Sequence, residues 1–103
     1  MNDLTVIELD RPRVIKYTRK ALKIVQIIFK CKIGNLKFDD LGVDELTKLL
    51  HCGLIHEDPS LTLVELEEMI DEGDVQFGMI FKTVVKAYAK SFGATEESLS
   101  PNE

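Results

Sequence analysis

The sequence predicts a mainly α domain of the α+β class, a small four-helix fold carrying a short N-terminal β-hairpin. Three features predict it. Four stretches repeat apolar residues at spacings of three and four, the period of one helix face. Two β-branched, alternating segments lie together near the N-terminus. A length of 103 residues suffices for one modest core but not for a deep catalytic cleft.

In chain order, Thr5-Val6-Ile7-Glu8-Leu9 and Arg13-Val14-Ile15-Lys16-Tyr17 flank Asp10-Arg11-Pro12 and read as the hairpin. Ile7, Leu9, Ile15 and Tyr17 are expected to point inward. A two-stranded ribbon is marginal alone, so it must lie against helices. Thr18 caps a helix expected from Arg19 to Lys32, with Ala21, Ile24, Val25 and Ile28 facing the core and Leu22 and Phe29 widening that face. Ile33-Gly34-Asn35 breaks it. Leu36 and Phe38 are expected to tuck inward from the following loop, and Asp39 and Asp40 to cap a helix starting near Val43. Leu46, Leu49, Leu50, Gly53 and Leu54 form that helix's stripe, which Glu57-Asp58-Pro59 ends, because a residue before proline is pushed out of the helical region.

Thr62 and Glu65 stand as a capping box for the third helix. Its buried stripe is Leu63, Leu66, Met69 and Ile70, and Gly73 is placed for a left-handed cap. The last helix is expected from Asp74 to Phe92, with Phe77, Ile80, Phe81, Val84, Val85, Tyr88 and Phe92 on one face and Lys82, Lys86 and Lys90 opposite. Residues 1–93 therefore read as a single domain. Residues 94–103, rich in Ser, Glu and Thr with Pro101, read as a flexible C-terminal tail.

The formal net charge of −5 conceals a division. Residues 1–37 hold nine Lys and Arg against three acids, a balance of +6, and residues 38–103 hold four against fifteen, a balance of −11. Two solvated faces of one domain account for this, as would halves that attract each other in the fold or that each face a different partner. The cationic Arg11–Lys37 stretch, with Tyr17 among its first cations, suggests nucleic acid as a rival partner. The acidity of the whole chain weighs against it. No apolar run is long enough to span a membrane, and the first twenty residues lack a signal-peptide core, so cytoplasmic residence without membrane contact is expected. Cys31 and Cys52 are expected to be free thiols.

Catalytic and metal constellations are weak. Cys52 and His56 are four residues apart and share a helix face, with Cys31 as a conceivable third ligand. His51 lies five residues before His56, about 140° around the helix. A buried thiol with surface imidazoles explains the same residues. Counted from Asp58, a calcium loop would need Gly at Leu63 and Glu at Met69, so the pattern fails. The acids Glu65, Glu67, Glu68, Asp71, Glu72 and Asp74 fit a solvated helix face better than paired catalytic carboxylates. The expectation is a protein that is not an enzyme and takes no cofactor or metal.

The segment from Leu49 to Leu66 resembles a family, the small tail assembly chaperones of long-tailed phages and of phage-like gene-transfer particles. Members carry an L-L-aromatic-x-G-L-x-H-E-D-P-x-L-T-x-E-E pattern between two helices. Here Gly53, Leu54, His56, Glu57, Asp58, Pro59, Leu61, Thr62 and Glu65 stand at matching places, while His51-Cys52 occupies the position of the large aromatic. The resemblance covers about twenty residues and beyond them rests on element order and size. It implies a chaperone of virion assembly that coats the long helical tape measure protein, helps recruit tail tube subunits and leaves before the virion is mature. It also implies a host-cytoplasmic location and, often, a longer companion made by translational frameshifting. A chaperone of this kind needs exposed apolar surface, and self-association is a second use of such a surplus. The expected partner-facing residues are Phe77, Phe81, Val84, Tyr88 and Phe92 of the last helix.

Overall fold

A computed structural model describes residues 5–91, and every structural statement below concerns them. Two strands come first, β1 over Thr5–Glu8 and β2 over Pro12–Ile15. Four helices follow: α1 over Arg19–Phe29, α2 over Val43–Leu54, α3 over Leu63–Glu72 and α4 over Phe77–Ser91. Short 3-10 turns at Ile33–Asn35 and Phe38–Asp40 join α1 to α2. The predicted class, four helices with an antiparallel N-terminal hairpin, is the observed one.

The core is built around α2, which packs against α1, α3, α4 and β2. Its predicted stripe is fully sunk: Leu46, Leu49, Leu50, Gly53 and Leu54 are all buried. The start of α2 differs from expectation. Asp39 and Asp40 belong to the preceding 3-10 turn, and Gly42 is the N-cap. Without a side chain to offer, Gly42 instead donates its N–H to Glu45 Oε1 at 2.6 Å.

The hairpin pairs Thr5 with Ile15 and Ile7 with Arg13, so these four residues share the face turned to the helices. Thr5, Ile7, Arg13 and Ile15 are buried as that register demands, and Tyr17 beyond the strand is buried too. Thr18 caps α1 as expected, accepting from the Ala21 N–H at 3.1 Å. The helix stops at Phe29 rather than Lys32, because Lys30 turns left-handed at φ 55° while its N–H donates to the Gln26 carbonyl. Ala21 and Val25 face the core, with Leu22, Ile24 and Phe29 at its edge. Ile28, expected inside, is exposed.

The capping box of α3 is present in both directions. Glu65 N–H donates to Thr62 Oγ1 at 3.1 Å, and Thr62 N–H donates to Glu65 Oε1 at 2.9 Å. Leu66 and Ile70 are buried as the spacing predicts, while Leu63 and Met69, expected in the same buried stripe, are only half-buried. The left-handed residue after α3 is not Gly73, whose φ is −85°, but Asp74 at φ 52°. That reversal delays α4 to Phe77. The tail over 94–103 and Phe92 lie outside the described residues.

The hairpin meets α2 through Gly53. Its carbonyl accepts from the Lys16 N–H at 2.9 Å, fixing β2 against the last turn of the helix. One turn earlier the Leu49 carbonyl accepts from the Tyr17 hydroxyl at 2.7 Å. The Tyr17 ring stands edge-on to Tyr88, which stands edge-on to Phe38. A β-carbon on Gly53 would fall 2.7 Å from Ile15 Cγ2 and 2.9 Å from Tyr17 Cζ. Neither neighbour is a free chain end. Gly53→Ala gains about 1 kcal/mol of helix propensity but meets an overpacking cost of about 1–3 kcal/mol. The expected result is net destabilisation, read as a lower denaturant midpoint; an unchanged or higher midpoint would mean the contact is slack.

Candidate functional site

The nine motif residues do not line a site together; four of them, Gly53, His56, Glu57 and Asp58, fasten the hairpin to the end of α2 and the turn that follows it. His56 donates from Nε2–H to the Val14 carbonyl at 2.9 Å, while Glu57 pairs with Arg11 at 3.8 Å. Leu54, itself buried, carries a carbonyl that accepts from both Glu57 and Asp58 N–H groups and tightens the turn. Pro59 is exposed, Leu61 is buried, and the Leu61 carbonyl accepts from His51 Nε2–H at 2.7 Å. Both imidazoles therefore act as donors to backbone rather than as free surface groups.

At the centre of this fastening is Arg13, a residue that the sequence reading did not single out. It is 3% exposed. Its guanidinium grips both Asp10 oxygens, at 2.7 and 2.9 Å, and reaches Asp58 Oδ2 at 3.3 Å. Ser60 Oγ–H donates to the other oxygen of Asp58. The signal was in the alternation: Arg13 and Ile15 are two apart in a strand, so burying Ile15 also turns Arg13 inward, and a buried guanidinium needs carboxylates. Hydrogen bonding by Arg13 holds the Asp10 carboxyl below the ordinary carboxylate range. The Ser60 hydroxyl first, then Arg13, does the same for Asp58.

The five α4 positions expected to face a partner are divided by the structure. Val84 and Tyr88 are sealed at 0% and 1% exposure, because the stripe that suggested a sticky face is the one α2 and β1 cover. Phe77 is half-buried at the edge of the core and lines a cleft with Val43 and Ile70. Phe81 is exposed, and Phe92 lies outside the described residues. A single half-exposed ring is ordinary on a protein surface.

The larger apolar feature lies elsewhere. A groove of about 560 Å³ runs between α1 and the end of α2, lined by Ala21, Ile24, Ile55, Pro59 and Leu61, with Lys20, His51 and His56 at its rim. Along α1, Ile27 and Ile28 extend this apolar strip one turn beyond Ile24, at 73% and 39% exposure. A side chain as apolar as Ile27 gains nothing from water at that exposure. The α1 sequence contains no acid, and Arg19, Lys20, Lys23, Lys30 and Lys32 are exposed without ion pairs among the described residues.

Other reactive groups are dispersed. Cys52 is buried, and burial pushes its thiol up to about 11, the opposite of an activated thiolate. Cys31 is half-buried, and both thiols are free. No group of three His, Cys, Asp or Glu side chains is gathered for a metal ion among the described residues. Of the acidic cluster, Glu65, Glu68, Asp71, Glu72 and Asp74 are exposed and Glu67 half-buried. No described helix is long and apolar enough to cross a membrane.

Comparison with known protein families, with curated proteins and with solved structures finds no match.

The carboxylates around Arg13 give the fold a defined acid response. Both titrate lower when folded than when unfolded, so their contribution is full above the ordinary carboxylate value of about 3.9 and is lost as pH falls below it. Denaturant midpoints should therefore drop on acidification through that window. In Arg13→Met the drop should be shallower; an unchanged acid slope would show that the cluster does not couple to folding.

Proposed function

We propose that this protein is a tail assembly chaperone, a non-catalytic binder that keeps the helical tape measure protein of a long-tailed phage or gene-transfer particle soluble and helps bring tail tube subunits to it. The observation that carries the reading is the apolar strip of α1, with Ile24 half-buried and Ile27 and Ile28 left exposed by the described residues, beside the groove at Ile55, Pro59 and Leu61. An amphipathic helix laid into such a groove buries its own apolar face and is kept from aggregating. The Leu49–Leu66 resemblance supplies the class of client. The fold supports it at one remove: the motif residues of the α2–α3 turn hold the hairpin and form one wall of the groove. Action in the host cytoplasm, with release before the virion matures, belongs to the same proposal.

The test is co-expression with a long, helical phage tape measure protein. Soluble yield of that long protein should rise severalfold and the two should co-purify. An unchanged yield with no co-purification overturns the reading.

The cations of α1 favour a second reading, a small phage regulator that binds nucleic acid through the Arg11–Lys37 segment. Tyr17 offers no stacking platform there, since its ring is buried and its hydroxyl bonded to Leu49. Retention on DNA or RNA that fades as salt rises would support this reading. No retention even at low salt would remove it.

A further inference from the structure

We infer that the α1 groove selects its client by charge, and that the segment it seats is an amphipathic helix whose apolar stripe is bordered by carboxylates. This rests on the chaperone reading and narrows it. The strip and its cations have a definite arrangement. At 100° per residue, Lys20, Ile24 and Ile27 lie on one face of α1, and Lys23 stands one turn before Ile27 on its solvent side. Arg19 continues that side. No acid lines the groove among the described residues, and Glu57 and Asp58, between its wall residues His56 and Pro59 in the chain, pair with Arg11 and Arg13. Among the described residues the rim therefore presents positive charge without an ion-pair partner beside an apolar floor.

That combination discriminates among helices. A purely apolar helix would gain from the floor but leave the lysines with water alone. A lysine-bordered helix would meet like charge at the rim. A glutamate-bordered one satisfies both, and steering by the rim speeds its encounter. The seat is short: α1 has 11 residues, about 16 Å, so it grips about three turns of client. A long helical client would then be held by many copies, each on one acidic-flanked segment.

Two synthetic helical peptides with the same leucine stripe, one bordered by glutamates and one by lysines, test this by fluorescence anisotropy against the full chain. The glutamate peptide should bind at least about tenfold tighter at low salt, with the gap closing as salt rises. Ile27→Asp should weaken it about tenfold, and Lys20→Glu combined with Lys23→Glu should reverse the preference. Phe81→Glu should leave binding unchanged. Equal affinity for the two peptides overturns the inference, as does loss through Phe81→Glu instead of Ile27→Asp. Pairing of two copies through α1 that peptide cannot displace also overturns it. Should a variant fail to fold by circular dichroism, amide shifts in the unaltered protein decide. Glutamate-peptide shifts centred on Ile24, Ile27 and Leu61 support the seat, and shifts centred on α4 refute it. Tape measure solubilisation that survives Ile27→Asp defeats this inference alone. Peptide binding without any tape measure effect defeats the chaperone reading alone.

Discussion

The close approach of the hairpin to the last turn of α2 is the constraint on which the other contacts depend. At Gly53 the helix has no β-carbon, so Ile15 and the Tyr17 ring can press onto its backbone, and the Lys16 N–H reaches the Gly53 carbonyl. A two-stranded ribbon cannot bury enough surface to hold itself. Here it borrows a helix as a third surface, and the bond from Lys16 fixes its position along that helix. Tyr17, once placed, is buried in the core, its hydroxyl satisfied by Leu49 and its ring edge-on to Tyr88.

The turn after α2 completes the same attachment from the other side. Histidine and acids follow the helix where the chain must reverse, and each meets a hairpin residue: His56 the Val14 carbonyl, Glu57 Arg11, Asp58 Arg13. The Arg13 cluster differs in kind from a surface ion pair. One partner is buried and could not be left unpaired, so the two carboxylates are a requirement of the fold and not an ornament. A run of polar residues that looks in sequence like a functional loop is thus largely a clamp, and its contribution to the binding proposed above is indirect, through the wall that His56, Pro59 and Leu61 give the α1 groove.

That indirectness bears on how a domain this small could bind anything. Its core is already occupied by the stripes of α2, α3 and α4, so apolar surface for a partner has to come from a helix only partly packed. α1 is that helix. It touches α2 along Ala21 and Val25 and leaves Ile27 and much of Ile28 to solvent. Exposed cations, Lys20 and Lys23, stand beside them.

Local signals in the sequence determined the element order, the Thr18 cap, the Thr62–Glu65 box and the buried stripes of α2 and α3, because each depends on residues within one or two turns of one another. The α1 boundary and the residue taking the left-handed turn after α3 depended on backbone choices at Lys30 and Asp74 that residue type does not dictate. Which apolar face was spare could not be read from periodicity. A stripe shows that a helix has an apolar side but not whether another element covers it, and so Val84 and Tyr88 proved to be core while Ile27 and Ile28 of α1 lay open. Nor could the sequence show that Asp58 answers Arg13 from 45 residues away. Only the docking of the hairpin onto α2 brings those charges together, and it does so because burying Ile15 carries Arg13 inward with it.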